Sequence, residues 1–484
     1  MPANSSANPT KLGANRLVQL LDQWSSGTGP IYLQLANAVI SLTEDASVRP
    51  GDQLPPERVL ATALSVSRGT VVRAFEHLAN EGVVERVQGS GTRISGRPLV
   101  ANGSTEAFVG ERLWMAEGAA VDLLKAIPPM LPEVEELVTS IDLTPHVEDL
   151  NGAEPLGWWR LRERIAALHT RQGLPTTPNQ ILVTSGAQQA LLLVIMTMSR
   201  PGDVVLGEDD TWPGLIDAVQ QVGARFEPIK LDSEGLIIGD LEAKMDRLRP
   251  SLMVLNPQHQ NPTGARLPVD RVEAIATLAK NYRVPVLDDR VSADLGFDGR
   301  HLAAIDEFDT GGYGITVGSI GKVAWSGLRL GWIRADAQVI NRLRSPKAVA
   351  DMATSAVSQL LALEIVDRYE EFVEVRVAML RPAADLVIDT LRNDLADWTF
   401  APVRGGLSVW AQLPDDASAT AFVQHAGRHG VLVASGRQFC AADVDCPNLR
   451  IPFTAPVEDL KEGLRRLVEA WGTFDRKPVA ASVI

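Results

Sequence analysis

Cysteine is almost absent from this chain of 484 residues. Only Cys440 and Cys446 occur, too few for a disulfide framework, and their scarcity indicates a reducing compartment. The six positions that separate them, with no cluster of histidine or cysteine nearby, are poor spacing for zinc. We therefore interpret them as two ordinary thiols and expect no metal site.

Long apolar runs are also missing. No segment approaches the roughly 18–20 consecutive apolar residues that cross a bilayer. The first residues, MPANSSANPTKLGANR, contain no apolar stretch of the kind found in a secretory signal. We expect a cytoplasmic protein without a membrane partner. Hydrophobic residues make up 45% of the chain and charged residues 22%, a globular composition, and this length predicts about two to four domains.

Positive charge is scarce and unevenly distributed. The whole chain has a net charge of −14, whereas residues 1–97 hold nine basic and eight acidic residues, a net charge of +1. The other 387 residues therefore carry −15. An acidic body gains nothing from approaching nucleic acid. If the chain binds DNA, its first hundred residues must do so through a local basic face.

The first hundred residues read as three helices and a hairpin. The first helix is predicted by apolar residues at helical spacing, namely Ile31, Leu35, Ala38, Val39 and Leu42. The stretch 49–58 closes a turn with two prolines at the next helix start. Ser67 is a good N-cap for a third helix, and residues 83–94 form two β-prone runs around a glycine-rich turn. This order predicts a winged helix-turn-helix.

The third helix carries arginines near its N-terminus, the end that recognition helices present to DNA. A solvated face is the ordinary role of such charges. However, residues 54–92, LPPERVLATALSVSRGTVVRAFEHLANEGVVERVQGSGT, resemble the GntR-type winged helix element for element. The resemblance implies a double-stranded DNA operator as partner, and Arg73 falls one position from a family contact site. The predicted DNA-binding residues are Arg58, Ser67, Arg68, Thr70 and Arg73.

A linker follows the predicted head. Residues 95–118 show no sustained period and are rich in glycine, serine and alanine. We therefore predict a DNA-binding domain over 12–97, a linker over 98–120 and a second domain over 121–480. Within the second domain we expect a large subdomain over about 150–345 and a small one over about 346–480.

From about residue 120, helical patterns alternate with short β-rich runs. These runs are ILVTS (181–185), VVLGE (204–208), LMVLN (252–256), VPVLD (284–288) and ITVGS (315–319). Such alternation predicts an α/β fold with a mainly parallel sheet and helices on both faces. Ligands of such sheets bind at the carboxyl ends of the strands. The residues that follow each run are therefore the candidates for a site.

Each run is followed by residues suited to a ligand. A small-residue loop enters a helix at Gly186 and Ala187, where backbone N–H groups could cradle a phosphate. Trp212 offers a flat ring for stacking, and the turn NPTG (261–264) presents one amide side chain. Two aspartates, the segment SIGK (319–322) and the segment SGLRLG (326–331) complete the series. Taken one at a time, each has an ordinary structural interpretation.

In this order, the motifs resemble those of fold-type I aminotransferases, which use pyridoxal 5′-phosphate. The resemblance implies that Lys322 forms the internal aldimine, for which its amine must lose a proton. It also implies roles for eight other residues. Phosphate would be held by Gly186, Ala187, Ser319 and Arg329, the ring by Trp212, Asn261 and Asp289, and a substrate or effector carboxylate by Arg450.

The aspartate requires a choice. Asp288 and Asp289 point to opposite faces of a strand end, so only one can face the ring nitrogen and keep it protonated. Asp289 lies 28 positions after Asn261, which fits the family register, and we choose it. The family tyrosine expected two or three positions later is absent, since Val291 and Ser292 stand there. That departure weighs against efficient transamination.

A GntR-like head joined to an aminotransferase-like body resembles the MocR/GabR-type regulators over residues 15 to 470. The resemblance implies a homodimeric transcription regulator that senses pyridoxal phosphate, a small amine or an amino acid through Lys322. A residual or partial aminotransferase half-reaction is compatible with it. One alternative is an active aminotransferase with an appended DNA-binding head. Another is a DNA-binding protein whose body serves only as a dimerisation scaffold.

Overall fold

The computed structural model divides the chain into two compact units, Met1–Glu106 and Ala107–Ile484. It describes residues 12–21, 24, 30–44, 48, 51–64, 66–80, 83–87, 91–94, 120–142, 144–146, 149, 152–415, 417–441 and 446–475. The predicted linker falls outside these residues except for its last position. Among the described helices, none combines the length and apolar character needed to cross a membrane.

The N-terminal unit consists of helices around one apolar core, followed by a hairpin. Its helices are α1 (Ala14–Leu21), α2 (Ile31–Glu44), α3 (Glu57–Leu64) and α4 (Arg68–Asn80). Each helix buries one apolar stripe, represented by Leu17, Leu35, Leu60 and Phe75, because apolar residues recur every three or four positions. The sequence pattern predicted α2, α3 and α4 but not α1.

The hairpin forms the wing. Strands β1 (Val84–Val87) and β2 (Gly91–Ile94) pair antiparallel, with Val84 opposite Ile94. Both of those residues are buried against the helices. The predicted winged helix-turn-helix is therefore present, although residues 88–90 of its turn fall outside the described residues.

The second unit contains a seven-stranded sheet in the order β4-β12-β11-β10-β9-β5-β6. Its strands are β4 (Ile181–Thr184), β5 (Val204–Glu208), β6 (Arg225–Ile229), β9 (Leu252–Leu255), β10 (Val286–Asp289), β11 (Gly314–Ser319) and β12 (Gly331–Ala335). Strand β12 runs antiparallel to both neighbours, whereas the other pairings are parallel. All five runs predicted from the sequence are strands of this sheet; β6 and β12 were not predicted.

Helices cover both faces of this sheet, and β5 shows why. Val205 packs with Leu191 and Leu215 on one face, while Leu206 packs with Ile275 on the other. A strand buried on both sides reads as a continuous apolar run. The helices of the unit are α5 (Pro132–Ser140), α6 (Trp159–Arg171), α7 (Ala187–Met198), α8 (Pro213–Gln221), α9 (Ile238–Leu248), α10 (Val269–Tyr282), α11 (Ala337–Asp351), α12 (Ala356–Asp367), α13 (Tyr369–Asp394), α14 (Ala419–Arg428) and α15 (Val457–Thr473).

A smaller sheet of five strands has the order β13-β14-β16-β15-β3. Its strands are β3 (Val121–Leu123), β13 (Thr399–Phe400), β14 (Ser408–Gln412), β15 (Val431–Ser435) and β16 (Asn448–Pro452). The edge strand β3 comes from the start of the unit and pairs in parallel with β15. Strands β7 (Leu231–Asp232) and β8 (Gly235–Leu236) form a separate hairpin. The sequence pattern did not predict β3, because three residues are too few to show a period.

Candidate cofactor site and DNA-binding surface

A cavity of about 860 Å³ opens at the carboxyl ends of the central strands of the large sheet. Its walls come from both sheets of the second unit. All nine residues that the sequence predicted for a cofactor or effector line this cavity, namely Gly186, Ala187, Trp212, Asn261, Asp289, Ser319, Lys322, Arg329 and Arg450. Residues more than 260 positions apart are therefore brought to one place.

One wall of the cavity gathers donors for an anion. Helix α7 begins directly after Gly186, whose φ of 96° is a backbone conformation that side chains rarely adopt. A Cβ at this position would lie 2.8 Å from Nη2 of Arg329. That same Nη2 donates to the carbonyl of Ser185 at 3.1 Å. The helix N-terminus and the guanidinium thus converge on one small region, as anion binding requires.

Two serines complete this wall. The hydroxyl of Ser319 donates to the carbonyl of Leu330 at 2.9 Å and accepts from the backbone N–H of Gly321 at 3.1 Å. The hydroxyl of Ser326 donates to the carbonyl of Gly321 at 2.9 Å. These bonds hold the SIGK segment and the SGLRLG segment against each other at the cavity.

Lys322 lies deep in the same cavity. Its Nζ donates to the carbonyl of Ala126 at 2.8 Å. Burial lowers the pKa of Lys322 to about 8, the positive charges of Arg450 and Arg329 lower it as well, and the carboxylate of Asp289 opposes them. At pH 7, one unit below this pKa, about a tenth of the amine is unprotonated, whereas an ordinary lysine is almost fully protonated.

The two aspartates at the end of β10 have different surroundings. Asp288 turns away from the cavity, accepts from the N–H of Ile305 at 3.0 Å and lies 3.7 Å from Arg290. Asp289 lines the cavity and accepts from the N–H of Val291 at 3.1 Å. Burial raises the pKa of Asp289 to about 6. The alternation of side chains along a strand causes this division and favours Asp289 as the carboxylate facing a ligand.

A network of amides connects the remaining polar residues. The side chain of Asn256 donates to the backbone carbonyl of Asp289 at 2.6 Å and accepts from the backbone N–H of Asn261 at 2.8 Å. The Asn261 side chain in turn accepts from Nη1 of Arg450 at 3.3 Å. The position of Asn261 is thus set from both sides, by the strand end and by the guanidinium.

Arg450 is almost fully buried, with 2% of its surface exposed. It donates to the carbonyl of Leu124, and its guanidinium lies 4.6 Å from the ring centre of Phe439. Burial lowers the pKa of Arg450 to about 9. Its Nε has no partner. A buried guanidinium with donor capacity left over is suited to a carboxylate ligand.

Trp212 directly precedes α8 and lines the cavity. Its Nε1 donates to the side-chain oxygen of Gln188 at 2.9 Å, and the amide of Gln188 donates to the carbonyl of Gly214 at 3.0 Å. The indole also packs against an apolar cluster that contains Leu124 and Phe439. An indole fixed in this way at a cavity wall is the kind of flat surface on which a planar ligand stacks.

The five residues predicted to bind DNA lie together in the N-terminal unit. Ser67 caps α4 by accepting from the backbone N–H of Thr70 at 3.1 Å, and their hydroxyls lie 2.8 Å apart. Arg58, Arg68 and Arg73 are exposed. The Arg68 side chain is 70% exposed and its Nη2 lies 3.5 Å from a carboxylate oxygen of Glu57, an ion pair of little strength at a surface.

Comparison with known proteins identifies the two parts. Residues 154–467 match the family described as aminotransferase class I and II. The chain belongs to this family. Residues 31–94 match the bacterial regulatory proteins of the gntR family. The predicted fold class, a winged helix-turn-helix followed by a fold-type I aminotransferase domain, is confirmed.

Relatives exist for the whole chain and for the larger unit. The chain is 26% identical over 463 residues to the uncharacterized HTH-type transcriptional regulator YdfD of Bacillus subtilis. The aligned region covers 90% of this chain and 95% of the relative. It resembles the kynurenine aminotransferase of Pyrococcus horikoshii, solved in complex with PMP (TM-score 0.68, 25% identity, 75% of this chain, 92% of that chain). It also resembles LysN, the alpha-aminoadipate aminotransferase of Thermus thermophilus, complexed with N-(5′-phosphopyridoxyl)-L-leucine (TM-score 0.65, 26% identity, 75% of this chain, 96% of that chain). These matches confirm the predicted architecture of the MocR/GabR-type regulators.

Three cavity residues of this aminotransferase domain were not predicted. Glu208 is buried beneath the cavity and both its carboxylate oxygens accept from the N–H of Asn256 at 3.0 Å; burial raises the pKa of Glu208 to about 8. His259 is 2% exposed, and neither ring nitrogen has a partner. Glu208 and Asn256 are the last residues of predicted β-rich runs, so the strand-end rule could have found them. His259 follows in the same loop and carried no such signal.

The positions where the sequence lacks the family tyrosine border the cavity, since both Val291 and Ser292 line it. Of the described residues that line it, none is a tyrosine. Ser292 is buried, and Arg290 donates to the carbonyls of Ala303 and Leu302 at 3.2 and 2.8 Å. The polar side chain of Arg290 is therefore already engaged. This aminotransferase domain has one phenol donor fewer around the ring position than its family motif provides.

Proposed function

We propose that this chain is a transcription regulator that binds double-stranded DNA through its N-terminal unit and senses pyridoxal 5′-phosphate, alone or with an amino compound, in its second unit. The observation that carries the proposal is the convergence of Lys322, Asp289 and Arg329 in one cavity. That cavity belongs to a chain that also has a GntR-type helix-turn-helix. The predicted homodimer and effector are part of the proposal.

The donor wall fits the phosphate of the cofactor. The N–H groups at the start of α7, the guanidinium of Arg329 and the hydroxyl of Ser319 would hold the dianion. Gly186 leaves space there that any Cβ would fill, since its Cβ would come 2.8 Å from Arg329. A cradle that tolerates only glycine supports a close approach of ligand to backbone.

The rest of the cavity fits the ring. When bound, pyridoxal 5′-phosphate supplies an aldehyde that condenses with amines and a ring that withdraws electrons. Lys322 would hold the aldehyde carbon, Asp289 the ring nitrogen and Asn261 the 3-oxygen, with Trp212 against the ring face. The lowered pKa of Lys322 supports this role because the neutral amine is the reactive form.

Arg450 indicates the chemical class of the effector. Its buried guanidinium, with the Nε unpartnered, would bind a carboxylate, so an amino acid fits the site better than an amine without a carboxyl group. Binding regulates DNA affinity only if the effector binds two arrangements of the protein with different affinities. Engagement of Arg450 alters charges at the boundary between the two sheets of the unit, which could provide that difference.

Exposed apolar side chains support the homodimer. Val349 and Met352, at the end of α11, are 89% and 66% exposed, and Val357 in α12 is 45% exposed. Apolar residues clustered on a surface mark contacts with a partner. Analytical ultracentrifugation of the full chain tests this part, since a monomer at micromolar concentration would contradict it.

The main experiment combines a spectral titration with a DNA-binding assay. The purified full chain is titrated with pyridoxal 5′-phosphate, and the change in the absorption spectrum relative to the free cofactor is recorded. Anisotropy then measures affinity for a duplex selected in vitro from random DNA, with and without amino acids. We expect a change of about fivefold or more, the lower limit of ordinary coupling. A matched amine lacking the carboxyl group should act more weakly; absence of any spectral change would contradict the proposal.

A second candidate function is an active aminotransferase with a DNA-binding head. The observation in its favour is that Lys322, Asp289, Asn261 and Arg450 are all present and share one cavity. Repeated turnovers with amino-acid and keto-acid pairs would support it. A single half-reaction that stops after one equivalent would favour the regulator, in agreement with the missing tyrosine.

A further inference from the structure

Both cysteines of the chain meet one carboxylate at the edge of the second unit. Cys440, Cys446 and Asp210 place their ligand atoms within 4.8 Å of one another. Asp210 lies 230 positions from Cys440 in the sequence. We propose that these three side chains bind a divalent cation that favours sulfur ligands, and that this cation is zinc.

The geometry of the three groups is held by the backbone. Asp210 and Cys440 form an antiparallel bridge, and the Cys440 thiol donates to a carboxylate oxygen of Asp210 at 3.0 Å. On either side, the N–H of Thr211 donates to the carbonyl of Phe439 at 2.8 Å and the N–H of Ala441 donates to that of Asp209 at 3.0 Å. The ligand atoms are therefore positioned by two paired segments.

Cys446 completes the cluster from a third segment. It is 8% exposed, and a Cβ at Gly436 would lie 2.6 Å from its sulfur, so the glycine leaves room for the thiol. Asp210 and Cys440 are only partly buried, which gives an ion access from solvent.

The charges of this cluster favour a cation. The carboxylate of Asp209 lies close enough to act on the charges of both Asp210 and Cys446. Zinc binds thiolate sulfur, imidazole nitrogen and carboxylate oxygen in tetrahedral order, and a site with three protein ligands keeps water in the fourth position. On binding, two S–H bonds break, two Zn–S bonds form and two protons leave for solvent. The dication would then offset the negative charge of the three ligands.

The site joins segments that border the cofactor cavity. Asp210 precedes Trp212 by two positions, and Cys446 precedes Arg450 by four. Cys440 directly follows Phe439, whose ring faces the Arg450 guanidinium. A bound ion would thus tie the loop after β5 to the connection between β15 and β16. Zinc binding requires neither the cofactor nor DNA, so a failure to bind zinc and a failure of the proposed function can be told apart.

Zinc binding is measured on the reduced full chain. The protein is stripped with a chelator and titrated with Zn²⁺ in competition with a chromophoric chelator that is read in the visible range. We expect one equivalent to bind. Bound zinc should also protect both cysteines from alkylation by iodoacetamide, as seen in the mass of the peptides that contain them. This protection assay uses the unaltered protein and does not depend on whether variants fold.

Variants then assign the ligands. Cys440→Ser, Cys446→Ser and Asp210→Asn should each weaken zinc binding by more than about 100-fold, since loss of an outer-shell partner alone costs about 10–100-fold. Asp209→Asn is the graded comparison, because this neighbouring carboxylate is outside the ligand set and acts on the cluster only through its charge; it should weaken zinc binding by no more than about tenfold, the lower end of the outer-shell range and less than any ligand variant.

Three results would overturn the proposal. The first is no zinc bound by the reduced chain at micromolar free Zn²⁺. The second is equal affinity in all four variants and the unaltered chain. The third is a reduced chain that does not bind zinc but in which peroxide oxidises the two thiols to a disulfide. That result would make the two cysteines a redox pair instead of metal ligands.

Discussion

Replacement of Gly186 by alanine tests the proposed phosphate cradle most directly. The residue has φ 96° and ψ 166°, a region that is nearly restricted to glycine. The new Cβ would lie 2.8 Å from Nη2 and 3.1 Å from Cζ of Arg329. Because this guanidinium is the end of a long side chain, we expect it to move away and leave the carbonyl of Ser185.

The expected losses of stability and of cofactor affinity follow from two effects, the backbone strain and the displaced guanidinium. Backbone strain of this kind costs about 1–3 kcal/mol of unfolding free energy. Loss of a hydrogen bond to a charged group costs about 1.5–3 kcal/mol. If that second loss falls on the phosphate, the Kd for pyridoxal 5′-phosphate should rise by about 10- to 150-fold, since 1.4 kcal/mol is a factor of ten.

Gly173→Ala provides the matched control. Gly173 has a similar φ of 93°, but a Cβ there would meet no atom within 4 Å. Chemical denaturation should show both variants destabilised, whereas an absorbance titration should show weaker cofactor binding only for Gly186→Ala. Unchanged cofactor affinity in Gly186→Ala, or an equal loss in Gly173→Ala, would refute the assignment of the cradle.

Three other predictions concern the amine, its titration and the DNA surface. Lys322→Ala should abolish the change in the cofactor spectrum on binding and the fixation of the cofactor by borohydride, while circular dichroism stays unchanged; a retained spectral change would place attachment elsewhere. In the cofactor-free chain, acetylation of Lys322 should rise with pH around a midpoint near its pKa of about 8, because only the neutral amine reacts. Asp289→Asn should move that midpoint to lower pH, since the carboxylate holds the pKa up; a move to higher pH would contradict the contact. Arg68→Ala should weaken binding to a selected duplex by about 1–3 kcal/mol if it reads a base edge, as anisotropy would show, whereas an equal loss on random DNA would make it a phosphate contact.

Local signals in the sequence predicted the α/β fold of the second unit, because the apolar runs of β4, β5, β9, β10 and β11 predicted buried strands and strand ends predicted where ligands bind. The nine residues around the cavity were predicted from the resemblance of the ordered motifs to those of fold-type I aminotransferases. Ser67 as N-cap of α4 is another local signal, since capping depends on residues three positions apart. Whether the nine residues act on a cofactor stays a prediction.

Contacts between distant segments could not be predicted in this way. Strand β12 runs against its neighbours, and β3 joins the small sheet across about 300 residues, because pairing depends on where the chain returns and not on its local pattern. The aspartates differ from these cases, because Asp289 was chosen from the family register; in the structure it lines the cavity, whereas Asp288 accepts from the N–H of Ile305.

The cysteines show the same division most sharply. Their number and spacing in the chain indicate two ordinary thiols, and neither a histidine nor a further cysteine lies between or beside them in the sequence. Folding brings Asp210 within hydrogen-bond distance of Cys440 from 230 positions away. Helices, strands and caps depend on residues that are close in the chain, so the sequence alone can predict them. A cluster built from three segments forms only when the sheets have packed, because packing brings together residues that are far apart in the chain.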